Sequence, residues 1–121
     1  MAVDIASAEP ANVVRLYGRV AADPAVRELP SGDLMATCRL VVPRTEAERR
    51  NGSRRGPTVD VVDLVAWTGR ARRSMVSWRI GDEVAIEGAL RRRFFRLGGR
   101  TESRVEVEVS SGRRIRRGAT G

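Results

Sequence analysis

The residues best suited to chemistry lie in one stretch, Ile86 to Thr101, which reads Ile-Glu-Gly-Ala-Leu-Arg-Arg-Arg-Phe-Phe-Arg-Leu-Gly-Gly-Arg-Thr. Arg91, Arg92, Arg93, Arg96 and Arg100 flank Phe94 and Phe95, the only two phenylalanines of the chain, with no acid among them. Neighbouring side chains of a strand point to opposite faces. One ring can therefore anchor the core while the other stands among guanidinium groups. A ring so placed suits the stacking of an unpaired base with phosphates on either side. The plainer account is a two-sided strand end with solvated arginines, and for this stretch alone the plainer account wins. The rest of the chain has to decide.

Composition narrows the choice. A chain of 121 residues is one domain, long enough to bury a real core. The net charge of +8 points to a polyanionic partner, although charge alone argues only for unspecific attraction. All 23 basic residues are arginine. Guanidinium binds phosphate as a fork and stacks on flat rings. There is no histidine and one cysteine, Cys38, so an internal disulfide and Cys/His metal sites are excluded. Cys38 lies in an apolar alternation and reads as a buried structural thiol. No cofactor is expected. No apolar run approaches membrane-spanning length, and the N-terminus carries Asp4 and Glu9 rather than a basic leader, so a cytoplasmic protein is expected. No nucleophile motif or phosphate-cradling Gly-Lys-Thr loop is found, so the chain reads as no enzyme.

The strands and helix around the arginines can be taken in chain order. Residues 1–11 form a flexible lead-in, 12–109 the folded domain and 110–121 a basic flexible tail. Asn12 to Val20 is a first strand, in which Gly18 marks a bend or a close backbone approach. Asp33 to Val42 is the second, with Ala36, Cys38, Leu40 and Val42 inward and Arg39 outward. Pro43 to Pro57 lacks periodicity, carries Arg44, Arg49, Arg50, Arg54 and Arg55, and reads as a long loop or a frayed hairpin at Asn51-Gly52. Val59 to Trp67 is the third strand, with Val62, Leu64 and Ala66 inward against Val61, Asp63, Val65 and Trp67. Thr68 to Trp78 is the one helix, with Ala71, Met75 and Trp78 on one side, Trp78 as a core plug and Gly81 beyond its end. Glu83 to Arg93 is the fourth strand with a bulge at Gly88; Glu102 to Val109 is the fifth. Five strands with a helix between the third and fourth is the order of an all-β OB-fold, a five-stranded Greek-key barrel.

With these elements in place the chain resembles the bacterial single-stranded DNA-binding protein family, SSB. The matching words are Asn12-Val13-Val14-Arg15-Leu16-Tyr17-Gly18, Asp23-Pro24-Ala25-Val26-Arg27, Pro30-Ser31-Gly32, Val65-Ala66-Trp67, and the run from Ile80 to Arg93. Together they are specific; singly each is weak. The resemblance implies stacking of bases on Trp67 and Phe95, with Phe94 as the alternate, and phosphate contacts from the loop arginines and from Arg91, Arg92, Arg93, Arg96 and Arg100. It also implies a homotetramer, roles in DNA replication, recombination or repair, and protein partners in those processes. Glu46 and Val61 fall where the family has aromatic rings. Asp63 falls where it tends to have a base, and Val62 at a common interface histidine. The family's acidic, aromatic-ended tail has no counterpart in these residues, so a short paralogue is expected. The competing expectation is a primosome-like protein-interaction module, favoured by the missing rings and Asp63. Single-stranded RNA is a third reading for the same surface.

Overall fold

The computed structural model describes residues 9–50 and 56–118. Arg54, Arg55 and the Asn51-Gly52 turn lie outside the described residues. Six strands and two helices succeed one another: β1 Val14–Val20, β2 Ala25–Glu28, β3 Leu34–Pro43, α1 Glu46–Arg50, β4 Val59–Ala66, α2 Gly69–Val76, β5 Glu83–Leu97 and β6 Arg100–Arg116. The sheet order is β1-β5-β6-β4-β3-β2, and a further β1–β3 pairing closes the ring. The closed barrel thus uses β1, β3, β4, β5 and β6, the five expected strands, while β2 is a short addition hydrogen-bonded to β3. This is the OB-fold.

Closure depends on Gly18. Directly after it β1, still paired with β5 as far as Arg19, meets β3, with Arg19 opposite Val41 and Val20 opposite Leu40. A Cβ on Gly18 would stand 2.5 Å from the Val41 carbonyl oxygen. The close approach expected at this glycine is therefore the joint of the barrel. Inside, Val20, Leu40, Leu64, Val84, Ile86, Val107 and Val109 pack with Ala36, Cys38 and Ala66. Burial pushes the Cys38 thiol up to about 11, which keeps it protonated and unreactive.

Helix α2 closes one end of the barrel. Thr68 caps it, its hydroxyl accepting from the Ala71 amide at 3.3 Å. Ala71 and Met75 face inward, and Trp78 is 1% exposed, the plug expected from helical spacing. The space for that indole is made by Gly112, where a Cβ would lie 2.9 Å from Trp78 Cζ2.

Two expectations are corrected here. The fourth strand does not stop at Arg93 but continues to Leu97, and the fifth runs past Val109 to Arg116. Residues 110–116 are strand rather than flexible tail. A register shift at Glu87/Gly88 lets β6 continue beyond Ser110 and lay Gly112 under Trp78. The buried carboxylate of Asp82 then anchors the segment beyond β6: it accepts from the Gly118 amide at 2.8 Å and the Arg79 amide at 2.9 Å, with Arg114 at 3.6 Å. The second correction concerns the loop after β3. Thr45 and Glu48 form a reciprocal capping box that starts α1, with Glu46 and Arg50 paired one turn apart.

Two outcomes check this end of the barrel. Gly112→Val forces a branched side chain against Trp78 and lowers stability by about 1–3 kcal/mol, read as a fall in Tm with altered near-ultraviolet circular dichroism. Asp82 is held below the usual carboxylate range by the Gly118 amide first, then the Arg79 amide and the nearby arginines, against the opposing effect of burial. Its contribution is complete above the unfolded-state pKa and is lost as pH falls through the depressed folded value. Asp82→Asn, which leaves one of the two amides facing an NH2 group, costs about 1.5–3 kcal/mol at neutral pH and flattens the acid limb of denaturant-measured stability.

Candidate nucleic-acid interface

The β5–β6 hairpin turns at Gly98-Gly99, both at positive φ (59° and 79°). This is the two-residue type I′ turn, whose twist matches the strands it joins. It pairs Leu97 with Arg100 and so fixes Phe95 opposite Glu102, Phe94 opposite Ser103, Arg93 opposite Arg104, and Arg91 opposite Glu106. Alternation then sorts the arginine stretch onto two faces. Arg91, Arg93 and Phe95 stand on one with Glu102, Arg104, Glu106 and Glu108; Arg92, Phe94 and Arg96 stand on the other.

The first face continues onto β4 and β3. A groove of about 550 Å³ runs between Arg39, Asp63, Met35, Arg93, Arg104 and Glu106. Its floor is packed: Met35 and Val65 are buried although they lie outside the barrel interior. Phe95 is half-buried at the groove's edge, with the Arg93 and Arg104 guanidinium carbons 5.9 and 5.8 Å from its ring centre. Two cations over a ring hold it in place and leave part of it open. Trp67 comes directly after β4, also half-buried, and shares a cleft of about 290 Å³ with Arg91, Glu108, Asn12 and Gly88. Its carbonyl accepts from Arg72 at 2.8 Å. Asn12 braces the neighbouring edge by using its side-chain amide as a strand residue would, donating to the Leu90 carbonyl and accepting from the Leu90 amide, each at 2.8 Å.

The structure therefore brings Trp67, Phe95, Arg91, Arg93 and Arg100 to one face and sends Phe94, Arg92 and Arg96 to the other. The arginine stretch is free of acids in the sequence but not in space. Arg91 pairs with Glu108 at 2.9 Å, Arg93 with Glu106 at 2.7 Å and Arg100 with Glu102 at 3.6 Å. Glu106 is 4% exposed, so Arg93 is committed to it and serves to position Phe95. The exposed pairs are weak and exchangeable. At the far end of β3, Arg44 grips Asp60 through two hydrogen bonds, 3.2 and 2.8 Å, which raises the arginine and lowers the carboxylate. Arg50 pairs with Glu46 at 3.0 Å, while Arg49 has no acid partner among the described residues. Asp63, a source of repulsion on its own, lies opposite Arg39 and is paired with it at 3.2 Å. Val61 is exposed on the same face. Val62 packs partly buried against the core.

Three contributors were not singled out from sequence as site residues: Arg39, read only as outward-facing, Arg104 and Met35. Arg104 was reachable: a two-residue turn at Gly98-Gly99 places it opposite Arg93 by counting. Met35 lacked any signal, since it is buried on the polar face of its strand, where it lies opposite Arg27 of β2.

An OB-fold barrel whose open groove is lined by arginines and edged by two half-exposed rings defines a nucleic-acid-binding class. The profile of the single-strand binding protein family matches residues 11–115, and the chain belongs to that family of non-catalytic single-stranded DNA-binding proteins. Among solved structures it is similar to that of the Plasmodium falciparum SSB in complex with ssDNA, at 22% identity and a TM-score of 0.65, over 91% of this chain and 97% of that one. No helix among the described residues is long and apolar enough to cross a membrane.

The Arg39–Asp63 pair generates a test. Asp63→Ala releases Arg39 to phosphate. Binding to oligo-dT tightens, and the log–log salt slope steepens by about 0.7, the contribution of one phosphate contact on a single strand. An unchanged slope means that Arg39 does not face the strand.

Proposed function

We propose that the chain binds single-stranded DNA with little regard to sequence, by stacking bases on Trp67 and Phe95 and pairing phosphates with arginines of the surrounding groove. The observation that carries this reading is the placement of both rings on one face of the barrel, with the Arg39–Arg104 groove beside them. Stacking is sequence-tolerant because every base has a flat face. The general figure, about 1–3 kcal/mol per stacked base, is drawn in part from this family. Arg39, Arg91, Arg100 and Arg104 supply the exchangeable charge, together with Arg44, Arg49 and Arg50 at the β3–β4 end. Arg54 and Arg55 belong to the same proposal by their place in the sequence. A role in replication, recombination or repair within the cytoplasm is the natural use of this activity.

The assembly we favour is a homotetramer. The support is the edge of β1. Only Arg19 and Val20 pair with β3, so Val14 to Gly18 bond to β5 on one side alone, and Val13 and Tyr17 are exposed beside them. An open edge of this kind is a site for pairing with another chain.

Tryptophan fluorescence tests the reading, because Trp78 is buried and only Trp67 is placed to meet a base. Titration with oligo-dT quenches the emission, with an affinity that falls steeply with salt. Trp67→Phe abolishes most of the quenching. Trp67→Ala with Phe95→Ala weakens binding by about 2–6 kcal/mol if the two stacks add. Absence of quenching at low salt defeats the stacking mechanism and leaves a protein-docking module. Equal competition by oligo-U shows that the face does not separate RNA from DNA.

A further inference from the structure

The opposite face of the β5–β6 hairpin is not used by the groove. It presents Leu90, Arg92, Phe94 and Arg96 from β5 and Ser103 and Val105 from β6. Nearer the barrel this face is the core face, carrying Val84 and Ile86; beyond Leu90 it opens to solvent. Phe94 is 66% exposed, more than the other large apolar side chains of the described residues, with Leu90 and Val105 about half exposed beside it. No acid occupies this face from Leu90 to Leu97 or from Arg100 to Val105. Among the described residues Arg92 bonds only the Ser103 hydroxyl, at 3.0 Å, and Arg96 only the Thr101 hydroxyl and the Gly99 carbonyl. The contrast with the groove face is one of charge state. There Arg91, Arg93 and Arg100 are each neutralised by a glutamate, while Arg104 has no acid partner among the described residues.

From this we infer that the face of Phe94 is a second single-strand track, over which the DNA continues after leaving Phe95, so that one strand folds around the hairpin. The inference rests on the single-stranded DNA binding proposed above. Charge decides the occupant. Two acid-free guanidinium groups stand on either side of one exposed ring, each two residues from it, about 6.8 Å along the strand. That sequence of cation, flat ring and cation complements phosphate, base and phosphate. Unpaired arginines also bind phosphate without first giving up an internal ion pair, so counterion release supports the continuation of the strand onto this face. A second protein copy would bring the same positive charge against Arg92 and Arg96, with nothing on the face to neutralise it.

The test uses the whole chain and oligo-dT of two lengths, roughly 8 and roughly 30 nucleotides, to bracket the site of a single barrel. Phe94→Ala and Arg92→Ser/Arg96→Ser are compared with Phe95→Ala, all at exposed or half-exposed positions. The second track predicts that Phe94→Ala leaves the short oligonucleotide bound as before, weakens the long one about tenfold and shortens the occluded length. Arg92→Ser/Arg96→Ser is expected to lower the salt slope on the long oligonucleotide only, by about 1.4 for two contacts. If the unmodified chain binds neither length, the proposed function itself fails. If it binds both and Phe94→Ala matches it on both, only the second track is overturned. A change of mass by light scattering in Phe94→Ala, with binding intact, assigns the face to a second copy and also overturns the track.

Discussion

The constraint on which the molecule depends is the register of the β5–β6 ladder. Fixed at one end by the Gly98-Gly99 turn, it extends from Leu97 opposite Arg100 to Glu83 opposite Arg116, with its irregularities at Glu87/Gly88 and Glu83/Val84. A slip of one residue would exchange every side chain between faces. Phe95 would leave the groove, the glutamates of β6 would leave their arginines, and Gly112 would no longer lie beneath Trp78. Core and binding face are thus set by one hairpin. At Gly88, where a Cβ would meet the Glu108 carbonyl oxygen at 2.1 Å, the ladder can tighten only because no side chain is present.

The positive charge of the chain is not spread evenly over its surface. Much of it is engaged locally, in cross-strand pairs that define side-chain positions: Arg93 with Glu106, Arg39 with Asp63, Arg44 with Asp60. Pairs of this kind shape a groove and hold its rings, but each lowers the charge available to a polyanion. A net charge of +8 therefore overstates the attraction of the groove and understates that of the acid-free side of the hairpin. The same logic softens the apparent handicap of Asp63. An acid in a binding face repels phosphate when it stands alone, and much less when an arginine lies directly across the ladder from it.

At the other end of the barrel the same strands do structural work. Trp78 fills the opening below α2, Gly112 accommodates its indole, and Asp82 ties the residues after β6 back to the turn after α2. These contacts order residues 110–118, whose composition of arginine, serine and glycine resembles that of a solvated tail. Ordering comes from what the segment meets: a buried carboxylate, the edge of β5 and an indole face.

Sequence alone determined the barrel, because its signals are local. Period-two alternation marked the five strands, spacing of three and four marked α2, and Gly18 and Gly88 announced a close approach and a bulge at the right places. It also brought Trp67 and Phe95 forward, since the family's motifs surround them. The ends of β5 and β6 escaped it: Arg, Phe, Ser and Gly carry no hydrophobic alternation once a hairpin projects beyond the core, and hydrogen bonds to a distant strand leave no trace in composition. Only the tertiary structure decided which arginines are neutralised. Glu106 and Glu108 are separated in the chain from the arginines of β5 by the hairpin turn, and become partners of Arg93 and Arg91 through the geometry of the ladder. Charge is read along a sequence, but Coulomb interaction acts through space over a few ångströms, and the distances are set by the fold.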